Sequence, residues 1–133
     1  MELFCYKCKC DNISELIDIA SKERFLLVVN DTKEIRDKLT NAYLEAFILE
    51  RDNSLHAKNI ALEVICLLAN TFNIKEAIEK VVPKNGNDFL VVSDDIESIE
   101  KILHLCKEKK EIKLEFNIEY GSDISNLEIE KGL

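Results

Sequence analysis

The sequence predicts an α+β fold: a two-layer sandwich with a mostly antiparallel or mixed sheet and the helices on one face. Three observations point there. Short apolar or alternating runs that read as strands are interspersed with segments of helical periodicity. The last run, Ile112, Leu114, Phe116, Ile118 and Tyr120, alternates strictly with polar neighbours, as a strand does when one face is covered and the other is wet. The chain has 133 residues, 47% of them apolar and 33% charged, which is enough for one core and one domain spanning residues 1–133. It contains no internal repeat or low-complexity tract.

The first strand is Glu2 to Lys9, which alternates loosely and is rich in aromatic and sulfur side chains. Asn12 with Glu15 three residues on marks a helix start, after which Ile13, Leu16, Ile17 and Ala20 share a face. Phe25 to Val29 is a continuous apolar run too short for a helix, hence a buried strand, and Asn30-Asp31-Thr32 offers caps for a second helix. From Lys33 to Glu50, Ile35, Leu39, Ala42, Ala46 and Leu49 form one stripe, which Leu44, Phe47 and Ile48 widen.

A third helix is expected over Ala57 to Ala69, capped by Asn53 or Ser54, and it is apolar nearly all round. After the polar turn Asn70-Thr71-Phe72-Asn73, the residues Ile74, Ala77, Ile78 and Val81 make a shorter helix that Pro83 stops. Asn85-Gly86 turns the chain into the strand Phe89 to Ser93. Asp94-Asp95 places acid at the start of a helix with the stripe Ile96, Ile99, Ile102, Leu103 and Cys106, and Lys107 to Lys110 gives it a basic end. Beyond Gly121 the patterning weakens.

No apolar run approaches the roughly 20 residues of a bilayer span, and Met1 to Ser21 lacks the basic start and apolar core of a signal peptide. The expected compartment is the cytoplasm, with no membrane partner. A net charge of -8 weighs against tight independent binding to nucleic acid, which draws its affinity from Lys and Arg on phosphates.

Catalytic groups are sparse. None of the three glycines sits in a phosphate-cradling loop, and His56 and His104 are isolated from each other. No nucleophile, base and orienting group assemble, so neither an enzyme, a cofactor nor a small-molecule substrate is expected. Cys5, Cys8 and Cys10 form the one crowded group among five cysteines, and they carry the alternative reading of a metal-binding or thiol-sensing module. On a strand, however, Cys5 faces opposite to Cys8 and Cys10, so core packing is favoured and no metal site is assigned. Glu63 interrupts the most apolar helix and needs a partner, as a helix end, a cation or another protein. Leu44, Phe47, Ile48, Leu62 and Leu67 exceed the core-facing stripes of their helices and are the candidate protein-partner residues.

The run Glu63-Val64-Ile65-Cys66-Leu67-Leu68, the turn Ala69-Asn70-Thr71, the helix Ile74 to Val81 and the strand Phe89-Leu90-Val91-Val92 together resemble the PRPK-binding protein family. That family is the small kinase-associated subunit of the KEOPS (EKC) complex. Its pattern is an acidic residue before aliphatics, a small-residue turn ending in basic-Gln-Ile, an Ala-aliphatic helix and a Val-rich strand. The chain departs from it at Phe72, at Asn73 and at Val82-Pro83. The resemblance implies a non-catalytic subunit that binds a small atypical protein kinase. It also implies help in recruiting tRNA, including its 3′ end, for threonylcarbamoyl adenosine (t6A) modification at position 37. On that reading Asn70, Thr71 and Asn73 hydrogen-bond base edges, Phe72 stacks a base, and Lys58 and Lys75 supply phosphate attraction.

Overall fold

The computed structural model describes residues 2–23 and 26–114. In chain order its elements are β1 (Phe4–Lys9), α1 (Ile13–Ala20), β2 (Leu27–Asn30), α2 (Lys33–Arg51), α3 (Ile60–Ala69), α4 (Ile74–Val81), β3 (Phe89–Ser93), α5 (Ile96–Leu103) and β4 (Glu108–Ile112). The strands form one sheet in the order β2-β3-β1-β4, and each of these pairings is antiparallel. Cys5 stands opposite Val92 on one side and Ile112 on the other, and Cys8 stands opposite Phe89 and Lys109. The α+β class and the antiparallel sheet are those the sequence predicts.

Strand alternation divides the core in two. On one face Cys5, Leu27, Val29, Leu90 and Val92 pack with Leu39 and Tyr43 of α2, Ile60 and Val64 of α3, and Ala77 and Val81 of α4. The Tyr43 hydroxyl, fully buried there, donates to the Val92 carbonyl at 3.1 Å. The sheet and these helices are the two layers of the sandwich. On the other face Cys8, Val28, Phe89 and Val91 pack with Leu16 and Ala20 of α1 and with Ile99 and Ile102 of α5. The expected single helical face therefore holds for α2, α3 and α4, while α1 and α5 cover the opposite side. The physical reason is that β2 and β3 are apolar on both faces, and each face needs a cover.

Helix starts match their caps. The side chains of Asn12, Thr32, Asn73 and Asp95 accept from the backbone N–H of Glu15, Ile35, Glu76 and Glu97 respectively. Two boundaries differ from expectation. The third helix begins at Ile60 rather than Ala57, with Asn59 as its cap, accepting from Leu62 N at 2.9 Å. The N–H groups of His56 and Ala57 are bound to the Glu63 carboxylate instead, which takes them out of the helix. Lys107 to Lys110 is not a basic helix end: α5 stops at Leu103, and Glu108–Ile112 pairs with β1. The final strand thus starts before Ile112. Phe116, Ile118, Tyr120 and the tail beyond Gly121 lie outside the described residues, as does Phe25. Glu108, Lys109, Lys110 and Glu111 leave β4 exposed and charged. No helix among the described residues is long and apolar enough to cross a membrane.

Two contacts tie strand ends to their neighbours. Asp31, just after β2, accepts from Arg36 Nε at 2.6 Å and Nη2 at 2.8 Å, and Lys7 Nζ of β1 lies 3.4 Å away. The Arg36 guanidinium holds the Asp31 carboxyl below its usual range, against the opposing effect of burial. The second contact is backbone to backbone: Cys10 N–H donates to Gly86 O at 2.9 Å.

A Cβ at Gly86 would stand 1.8 Å from the Cys10 carbonyl oxygen, so Gly86→Ala has to push two backbones apart. We expect a loss of about 1 to 3 kcal/mol, read as a lower urea midpoint with an unchanged m-value. Asp31→Asn should cost about 1 to 2 kcal/mol near neutral pH, the lower part of the range for charged hydrogen bonds because Arg36 is partly exposed. Asp31 has a depressed folded pKa. Its contribution is therefore complete above the unfolded value of about 3.9 and disappears as pH falls through the lower folded value. Urea titrations of both chains should accordingly keep a constant gap down to about pH 4 and converge below it.

Candidate functional site

Helix α3 owes its entry and its exit to neighbouring side chains. Glu63 sits in its first turn with no exposed surface. Its Oε1 accepts from His56 N–H at 2.6 Å and from Ala57 N–H at 2.8 Å, and its Oε2 lies 3.2 Å from His56 Nδ1. Two backbone N–H donors on one carboxyl oxygen resolve the puzzle of acid in an apolar helix: Glu63 fastens the preceding loop.

At the other end, Asn70 closes α3 in the left-handed conformation at φ 56°, a position asparagine tolerates well. The Thr71 N–H reaches back to Cys66 O at 3.2 Å, the Thr71 hydroxyl accepts from Asn73 N–H at 3.2 Å, and Asn73 in turn caps α4. This tight chain of bonds turns Phe72 outward. Its ring, 54% exposed, stacks on His56 with centroids 4.3 Å apart and planes inclined by 29°. Glu63, His56 and Phe72 are thus one connected unit, a buried anchor carrying an imidazole that carries a phenyl face. Chemically it offers a flat aromatic surface, a ring nitrogen and nearby hydroxyl and amide groups, which suit stacking and hydrogen-bonded recognition.

The turn residues Asn70, Thr71, Phe72 and Asn73 stand together as the sequence order requires, but the Asn73 side chain and the Thr71 hydroxyl already serve as caps. Lys58 and Lys75 are exposed, Lys58 before α3 and Lys75 in the first turn of α4. The partner residues divide. Leu44, Phe47 and Ile48 are half-buried on one side of α2, where Phe47 also packs against the core with its ring 6.3 Å from that of Tyr43. Leu62 and Leu67, both half-buried, fall on different sides of α3. Leu62 lines an apolar groove of about 200 Å³ between α1, α3 and α4, together with Ile17, Ile65 and Ile78. Sequence reasoning missed His56 as part of the site. The available signal was its spacing of seven residues from Glu63, across a helix start.

The cysteines split between the two core layers. Cys5 lies on the α2 side, and burial pushes its thiol up to about 12. Cys8 and Cys10 lie on the α5 side. Among the described residues, no group of three or more His, Cys, Asp or Glu converges as a metal site would require. No family model matches the chain, and no curated protein matches it.

Glu63→Ala would strand two N–H groups at the start of α3 and free the imidazole beneath Phe72. The expected loss is about 2 to 4 kcal/mol, accompanied by faster hydrogen exchange at His56 and Ala57. Glu63→Gln keeps an acceptor at Oε1 and should lose markedly less. Equal losses in the two variants would show that the charge, rather than the acceptor, holds the loop.

Proposed function

We propose that this chain is a non-catalytic assembly subunit of the KEOPS type, acting in the cytoplasm. It binds a small atypical protein kinase and helps to hold tRNA for t6A modification. The observation that carries the reading is the outward Phe72, 54% exposed on its His56 support. It sits inside the stretch from Glu63 to Val92 whose residue pattern resembles the PRPK-binding family. A domain without an assembled catalytic group has little structural need to hold an aromatic ring in water. A subunit that stacks an unpaired nucleotide does.

The half-buried side of α2 with Leu44, Phe47 and Ile48, together with Leu62 at the groove, supports a protein partner. The net charge of -8 fits an auxiliary rather than a dominant RNA contact, with Lys58 and Lys75 as its flanking cations.

Two measurements test the proposal. Ile48→Asp and Leu62→Asp should abolish binding of the purified chain to the kinase while urea unfolding stays cooperative; unchanged kinase affinity in both would refute the partner assignment. For RNA, Phe72→Ala should lose about 1 to 3 kcal/mol of tRNA affinity, and Lys75→Glu should reduce the salt dependence. The Phe72 effect should vanish on tRNA lacking its unpaired 3′ nucleotides. Equal affinities for intact and trimmed tRNA would sink the RNA part.

A further inference from the structure

Helix α4 carries more apolar side chain than the core uses. Ala77 and Val81 are buried, whereas Ile74 and Ile78 are 41% and 40% exposed. A lone isoleucine on a surface is ordinary. These two stand one turn apart and form a stripe along one side of the helix, and with Phe72 they are the exposed large apolar side chains among the described residues. Ile78 is also part of the wall of the apolar groove of about 200 Å³, with Leu62, Ile65 and Val82. A projecting isoleucine and a groove thus lie side by side on one surface.

The charges around the stripe are divided. Helical spacing puts Lys75 and Glu79 on its solvent side and Glu76 and Lys80 across the helix. Glu76 and Lys80 satisfy each other at 3.1 Å. Lys75 and Glu79 have the same spacing in the reverse and weaker order, and among the described residues neither takes an ion-pair partner. An apolar stripe is therefore edged by a cation and an anion one turn apart, both without an internal partner. Such a surface is its own complement once the helix direction is reversed.

We propose that α4 is the contact helix of a twofold dimer of this chain. The two α4 helices cross antiparallel, with Ile74 of each copy against Ile78 of the other and Lys75 of each against Glu79 of the other. A twofold axis passing between Ile74 and Ile78 exchanges these positions and keeps the charged flanks on the same side of the helix pair, so every contact occurs twice. Ile74 of each copy then lies at the edge of the other's groove. The charges select the direction, because a parallel crossing would set Lys75 against Lys75 and Glu79 against Glu79. The patch is small, which places the dimer among weak, concentration-dependent interfaces at the low end of the size range. This inference is independent of the kinase and RNA reading, and its test contains neither partner.

The full chain alone, kept reduced with dithiothreitol, would be followed by sedimentation equilibrium from low to high micromolar concentration. The expected result is a reversible rise of the average mass from one chain toward two. Ile74→Asp should remain monomeric throughout with the parental urea midpoint, since Ile74 lies outside the core. Lys75→Glu and Glu79→Lys should each weaken self-association about tenfold, because each turns two attractive contacts into two repulsive ones. An equimolar mixture of these two variants should recover the parental association, since every contact between positions 75 and 79 of the mixed pair again unites opposite charges. Charges that act only within their own helix would give no such recovery.

A parent chain that is monomeric at every concentration overturns the proposal, as does a dimer that survives Ile74→Asp or a pair of charge variants that fails to recover on mixing. A monomeric parent whose Ile74→Asp variant loses kinase binding would assign the stripe to the kinase instead.

Discussion

Phe89 to Ser93 have no exposed surface, and most of this fold can be read as the answer to that burial. A strand that is apolar on both faces is stable only between two covers, each buried Val, Leu or Phe contributing about 1.5 to 3 kcal/mol. Helices α2 to α4 supply one cover, over Leu90 and Val92, and the short pair α1 and α5 supplies the other, over Phe89 and Val91. The unequal size of the covers matters. The larger one has helix surface to spare, which is where Leu44 and Ile48 remain only half-buried and where α3 carries the candidate site.

Within that larger layer, Glu63 links stability to the proposed recognition. The carboxylate closes the loop before α3, and the same group aligns the imidazole on which Phe72 rests. The tight capping of Asn70, Thr71 and Asn73 fixes the turn from the other side. A surface aromatic held at both ends loses little freedom when a partner stacks on it, which lowers the entropic cost of binding.

Much of the architecture was readable locally. Asn12, Asn73 and Asp95 start helices through hydrogen bonds to residues within the next turn, and such short-range chemistry is present in the sequence itself. The start of α3 was not readable in this way, because Ala57 and Lys58 suit a helix and only the Glu63 carboxylate diverts their backbone. Lys107 to Lys110 suit a helix end equally well, and what makes Glu108 to Ile112 a strand is pairing with β1, a partner far away in sequence. The second helical face escaped for a related reason: the alternating run near the end suggested a wet face for the whole sheet, whereas β2 and β3 are dry on both sides. In the site, Phe72 and the turn were visible as unexplained polar and aromatic residues. Its support, His56, was not, because it is recruited by a hydrogen bond rather than by a pattern.

Strand β1 also shapes how the chain must emerge during synthesis. Its partners, β3 and β4, come late in the described chain. Synthesised before both of its partners, Phe4 to Lys9 has to wait at least until Phe89 to Ser93 has followed before any ladder bond can form. Contacts so distant in sequence make folding slow and leave a sticky strand with two core cysteines uncovered in the meantime. The polar interruptions at Lys7 and Lys9 are then most valuable before the fold exists, when they discourage two nascent chains from pairing through the same segment.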